Sequence, residues 1–128
     1  MSEQNIEVIK KGYEAFCSGD VATVMNLFDD NIEWVQPGES AISGTYHGKG
    51  EVGEYLRRFG EKSVTIKLNR LLADGDMVVA LTEVILDNET CQDADVFTFR
   101  DGKTVRAQVH TDTAMMERVY GKKQVAAG

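Results

Sequence analysis

Basic residues, cysteine and histidine are all scarce in this chain, and each shortage closes a class of function. Fourteen lysines and arginines stand against 21 aspartates and glutamates, which leaves a net charge of −7. Nucleic acids and anionic membranes are bound through a basic face, so neither is an expected partner. The two cysteines, Cys17 and Cys91, have the spacing of neither a metal site nor a disulfide framework. A reducing cytoplasm is the simplest setting for them. His47 and His110 are too few for a histidine-rich metal site. No apolar run approaches the ~20 residues of a membrane span. The opening Met-Ser-Glu-Gln-Asn lacks the basic and apolar pattern of a signal peptide. Without secretion, the glycosylation sequon Asn88-Glu89-Thr90 carries no meaning. The stretch Gly44-Thr45-Tyr46-His47-Gly48-Lys49-Gly50 is one residue short of a phosphate loop and has no Ser or Thr after the lysine. No metal and no cofactor are therefore expected.

What is present suits one domain over residues 1–128, with a hydrophobic fraction of 42%. Ile6, Ile9, Tyr13 and Phe16 recur at helical spacing and predict a helix from about Glu3 to Ser18, capped by Ser2 and ended by Gly19. Asp20 caps a second helix, about Val21 to Phe28, that buries Val21, Val24, Leu27 and Phe28. After an Asp29-Asp30-Asn31 turn, Ile32 to Gln36 reads as a short strand stopped by Pro37-Gly38. A Gly/Ser loop leads to a third helix, about Glu51 to Phe59, burying Val52, Tyr55, Leu56 and Phe59. Four strands follow: Ser63 to Leu72, Met77 to Asp87, Cys91 to Arg100, and Thr104 to about Thr113. Ala114 to Tyr120 forms a short last helix, and the polar tail Gly121 to Gly128 is expected to be loose. The order predicts an α+β fold, with helices covering one face of a curled, mostly antiparallel sheet. Such a cone leaves a hollow at its open end.

The last hairpin is the most informative segment. Asp101-Gly102 is a strong turn signal. A two-residue loop sets Phe97 opposite Arg106, Asp95 opposite Gln108 and Asp93 opposite His110. With period-two alternation, Asp93, Asp95, Phe97, Phe99, Arg106, Gln108, His110 and Asp112 share one face. Aromatics and ionisable groups together are what a half-apolar pocket needs. Two other readings stay open. The small apolar face (Ala94, Val96, Thr98, Val105, Ala107, Val109) is either the core or a flat surface for a partner. A bulge at Gly102 would turn one strand over relative to the other.

Several segments resemble a known family. Tyr13-Glu14-Ala15-Phe16, Ser18-Gly19-Asp20 and Leu27-Phe28-Asp29-Asp30 resemble the helical opening of the SnoaL-like proteins, in the superfamily named for nuclear transport factor two. Trp34-Val35-Gln36-Pro37-Gly38, followed by Ser43-Gly44-Thr45-Tyr46-His47-Gly48, is similar to the next signature. Phe97 to Lys103, with Thr111-Asp112-Thr113-Ala114, resembles the closing hairpin. The resemblance runs from about Ile6 to Gly121. It implies a conical α+β barrel, commonly a homodimer, with a deep pocket for a small hydrophobic molecule. Polyketide cyclases, ketosteroid isomerases and limonene epoxide hydrolases are members. By resemblance Asp112 matches the acid/base of the cyclases and epoxide hydrolases. Asp95 matches a strand aspartate of the isomerases and epoxide hydrolases. Gln36 stands where the isomerases place their general base, their oxyanion-hole tyrosine would fall at Gly12, and Asp93 stands where the epoxide hydrolases have arginine.

The expected chemistry is cofactor-independent acid/base work on a carbonyl-bearing, hydrophobic substrate: isomerisation, cyclisation or a related lyase or hydrolase step. Two carboxylates close together and half-buried titrate apart, so one can donate a hydrogen bond while the other removes a proton. Asp112, Asp95 and His110 are the candidate catalytic residues. Trp34, Gln36, Tyr46, Phe97, Gln108 and Tyr13 are the candidate substrate contacts. Each has a plainer reading: Asp112 as the cap of the last helix, His110 as a partly exposed strand residue, Asp93 as a rim charge, Trp34 and Tyr13 as core, Tyr46 as surface. A binding or carrier protein with the same pocket, or a dimerisation module, are the rival functions.

Overall fold

The structure is a computed structural model that describes residues 2–124. Helix α1 spans Ser2–Cys17, α2 Val21–Asn26, α3 Gly48–Phe59 and α4 Thr113–Tyr120. The strands are β1 Phe28–Gln36, β2 Gly44–His47, β3 Thr65–Asp74, β4 Met77–Leu86, β5 Glu89–Arg100 and β6 Lys103–His110. They form one curled, unclosed sheet in the order β2-β1-β6-β5-β4-β3, antiparallel except where β1 runs parallel to β6. The expected α+β layout is present: the sheet is curled but unclosed, the three helices and the short last one are there, and β2 is one strand more than expected.

Local signals explain most elements. The Asp20 side chain accepts from Thr23 N at 3.1 Å and starts α2. Asp112 accepts from Met115 N at 3.0 Å and starts α4. Along β4, Val78, Ala80, Thr82, Val84 and Leu86 are all buried and alternate with half-exposed neighbours. The concave face so formed is covered by α1 and α3 and packs into one core.

Several boundaries differ from expectation. Ser2 lies inside α1 rather than capping it. Helix α2 is only six residues long and buries Val24, while Val21 at its first position is 61% exposed. Phe28 begins β1, and Asp29-Asp30-Asn31 is a kink within that strand. There Asn31 N donates to Asp29 Oδ1 at 2.9 Å, and the β1–β6 register shifts between Phe28 and Glu33. Gly44–His47 pairs with β1 as an extra edge strand. The start of the tail is tied down: Ser40 bridges Lys122, and Lys123 N donates to Glu39 O at 2.7 Å. Residues 125–128 of that tail lie outside the described residues.

The β5–β6 hairpin departs most. Its loop is the expected two-residue one, with Arg100 opposite Lys103 and positive φ at Asp101 and Gly102 (52° and 78°), as a type I′ turn requires. Phe99 then pairs with Thr104, but Thr98 pairs with Arg106. Val105 is an extra residue, a β-bulge, and every later side chain of β6 changes face. Phe97 therefore opposes Ala107, and Asp95 opposes Val109. Thr104, Ala107 and Val109 point into the core, while Arg106 and His110 are exposed and Gln108 is half-buried. The expected single face is thus right for β5 and reversed for β6. Ala107 and Val109 are not available to an outer partner surface.

Candidate active site

Under α1 and α3, the concave sheet face encloses a cavity of about 80 Å³. Strand β5 contributes Asp93, Asp95 and Phe97, and β1 contributes Trp34 and Gln36. Tyr13 enters from α1 and Tyr55 from α3. The aromatic rings form a linked wall. Tyr13 meets Phe97 edge-on at 6.1 Å, Phe97 meets Trp34 at 6.0 Å, and Trp34 meets Tyr55 at 5.7 Å. Pairs of this kind contribute about 0.5–1.5 kcal/mol each beyond their burial.

Asp95 is the chemical centre of this cavity. Tyr13 Oη donates to its Oδ2 at 2.6 Å, while Oδ1 is buried with no partner among the described residues. Burial is the main force on its acidity, the neighbouring Asp93 charge adds to it, and the Tyr13 hydrogen bond opposes it. The net result pushes the carboxyl up to about 7. Burial also raises Asp93, which sits two residues away on the same strand face. Its Oδ1 accepts from Cys91 Sγ at 3.4 Å. Burial and the Asp93 charge push the Cys91 thiol up to about 11, which leaves it a poor nucleophile. Tyr13 and Tyr55 are both raised, first by burial and then by Asp95, so both hydroxyls hold their protons near neutrality.

Two donors that line the cavity are also without close partners among the described residues. Tyr55 Oη donates to Gln36 Oε1 at 2.6 Å, which fixes the amide with its Nε2 unpaired. Trp34 Nε1 is likewise buried and makes no close hydrogen bond, although the Tyr55 hydroxyl lies near enough to feel it. A buried polar group without a partner costs about 1–3 kcal/mol. Three such atoms around one cavity supply an acceptor and two donors to whatever fills it.

The candidates named from sequence divide accordingly. Asp95, Phe97, Trp34, Gln36 and Tyr13 line the cavity together. Asp112 does not: its carboxylate is the cap of α4. His110 is exposed on the outer face because of the bulge at Val105. Gln108 follows it out and donates to Val109 O at 3.0 Å. Tyr46 stands behind the cavity wall, with its ring 4.9 Å from Tyr55 and its hydroxyl donating to Ile42 O at 2.7 Å. Asp93 and Tyr55 went unrecognised as site residues. Asp93 shares the alternation that places Asp95. Tyr55, on the apolar stripe of α3, had no local signal beyond core. Among the described residues no group of three or more His, Cys, Asp or Glu is placed to hold a metal. No described helix is long and apolar enough to cross a membrane.

Comparison with known proteins agrees with this architecture. Bal32a, from a soil-derived mobile gene cassette, superposes with a TM-score of 0.87 at 27% identity, over 93% of this chain and 98% of that one. TerC, co-crystallized with polyporic acid, gives 0.78 at 26% identity, over 91% and 98%. An uncharacterized protein of Mycobacterium tuberculosis is 25% identical over 87 residues, 68% of this chain. The matched part spans 59% of that relative's length. Residues 9–107 match the family profile described as a SnoaL-like domain, and the chain belongs to that family.

Proposed function

We propose that the cavity is a cofactor-independent acid/base site that moves a proton beside the carbonyl of a small hydrophobic molecule. The observation that carries this reading is the unpaired Oδ1 of Asp95, held in an apolar cavity with two unpaired N–H donors. Near neutrality Asp95 is divided between its two protonation states, where a general base and its conjugate acid work best. In the proposed step the ionised carboxylate takes a proton from the carbon next to the carbonyl. The electron pair moves onto the carbonyl oxygen, and Trp34 Nε1–H and Gln36 Nε2–H donate to it. Returning the proton to a different carbon isomerises the substrate, and attack of the enolate on a second carbonyl closes a ring. TerC, a relative of similar shape, was crystallised with a small organic molecule, which supports a small-molecule site.

Solvent exchange tests this without a known substrate. Simple aliphatic ketones in deuterium oxide should exchange their α-protons faster with the protein, and Asp95→Asn should slow that gain by about 10²–10⁴-fold. Unchanged exchange in the variant would sink the proposal. The position of Asp112 and His110 away from the cavity favours a second reading, a carrier that binds the same ligands without turnover. A carrier gives binding with no exchange above buffer. We also propose a homodimer through the convex sheet face, where Val79, Leu81 and Val96 are half-buried in the single chain. Sedimentation of a monomer at micromolar concentration would refute that.

A further inference from the structure

Helices α1, α2 and α3 leave a second, larger hollow of about 600 Å³ on the outer side of the helical layer. Its floor is apolar, with Met25 and Val64, and Val21 stands 61% exposed at its edge. Gly53 opens its α3 side, and Arg57, ion-paired to Glu61, marks its rim. The hollow adjoins the inner cavity across a shared wall: Phe16, Val24 and Leu56 line both. The inner cavity alone, at about 80 Å³, holds only a small fragment. Binding sites for organic ligands run to about 300–1,000 Å³. A carbonyl held by the inner donors therefore belongs to a molecule whose remainder lies elsewhere, and the outer hollow is the adjoining apolar space of the right size.

We propose that the outer hollow is a second subsite, which takes the apolar tail of a ligand whose carbonyl head sits beside Asp95, with Phe16 and Leu56 moving aside between them. The ligand class is an elongated, uncharged ketone with a hydrocarbon tail. This rests on the reading of the inner cavity as a carbonyl site. The chain's one tryptophan, Trp34, lines the inner cavity and reports its occupancy by fluorescence. Cys17 is exposed on the outer hollow, while Cys91 is buried, so alkylation of Cys17 reports the outer subsite. A Cβ at Gly53 meets only Met25 Sδ, at an ordinary 3.6 Å, so Gly53→Leu fills the hollow and also favours the helix.

Wild type and Gly53→Leu are titrated with methyl n-alkyl ketones from butanone to methyl octyl ketone. In wild type, affinity should rise about twofold to fourfold per methylene once the inner cavity is full. Gly53→Leu should bind butanone normally and lose about tenfold or more on the octyl ketone. In wild type, which needs no variant to fold, the octyl ketone but not butanone should shield Cys17 from N-ethylmaleimide. The proposal is overturned if affinity is flat beyond the shortest ketones, or if the octyl ketone leaves Cys17 freely alkylated. In that case butanone binding still upholds the inner site. If no ketone alters Trp34 fluorescence, the inner-site reading fails and takes this one with it.

Discussion

Replacing Asp95 by asparagine keeps the shape of the side chain and removes its charge. The amide oxygen can still accept from Tyr13, so the main change is electrostatic. The native carboxyl lies near 7 against an ordinary 3.8. Lifting the carboxyl that far makes ionising Asp95 in the folded protein unfavourable by about 4 kcal/mol. Water reaching the carboxylate in a relaxed native state reduces this, giving an expected range of about 2–4 kcal/mol. The sign follows from which state holds the proton. Below about pH 4 both folded and unfolded chains are protonated at this site, and the stabilising contribution of the raised carboxyl is fully present. Between about 4 and 7 the unfolded chain ionises first, and wild type loses stability; above 7 the loss is complete. Asp95→Asn has no such loss. Urea unfolding of both proteins at pH 4 to 8, with unchanged m-values, should show little difference at pH 4. The variant should be about 2–4 kcal/mol more stable at pH 8. A difference that does not vary with pH, or a variant less stable at pH 8, would refute the argument that burial sets this group. Greater stability together with lost proton exchange is the trade expected of a functional group.

Tyr13→Phe removes the hydrogen bond that favours ionised Asp95, so the carboxyl's midpoint in a ¹³C NMR titration should move further up; a downward move would contradict the arrangement. Asp112→Ala removes the α4 cap and should cost about 1 kcal/mol in urea unfolding while leaving the Trp34 response to ketones intact. A lost Trp34 response in a folded protein would return Asp112 to the site. Gly38 has φ +96°, and a Cβ there would meet Thr113 Cβ at 2.9 Å. Gly38→Ala should therefore lower stability by about 1–3 kcal/mol, and a neutral result would refute the close packing of this loop on α4.

Much of the fold was legible because its signals are local. The stripe of Ile6, Ile9, Tyr13 and Phe16, the Asp20 cap and the Asp101-Gly102 turn each act within a few residues. The four-residue strand β2 was not legible, since its pairing with β1 is decided by tertiary contact rather than by its own sequence. In the site, alternation along β5 placed Asp95 and Phe97 correctly. It failed on β6 because a valine at a bulge looks like a valine in a regular strand. The missed clue was volume: Phe97 opposite Ala107 pairs large with small, whereas Arg106 opposite Phe97 would have put a charge into the cone. Tyr13 was read chiefly as a core stripe residue; its hydroxyl meets Asp95, 82 positions away, and no local pattern reports such a meeting.

The extra residue at Val105 acts as a frame shift in the strand that follows it. Downstream of it, the distance from the turn no longer tells which side of the sheet a residue faces. Deleting Val105 would make the pairing regular and leave Ala107 and Val109 facing inward, opposite Phe97 and Asp95; pairing Val105 with Thr98 instead would bring Arg106, Gln108 and His110 inward. Equivalence across β6 within this family has to be counted from the bulge, not from the hairpin.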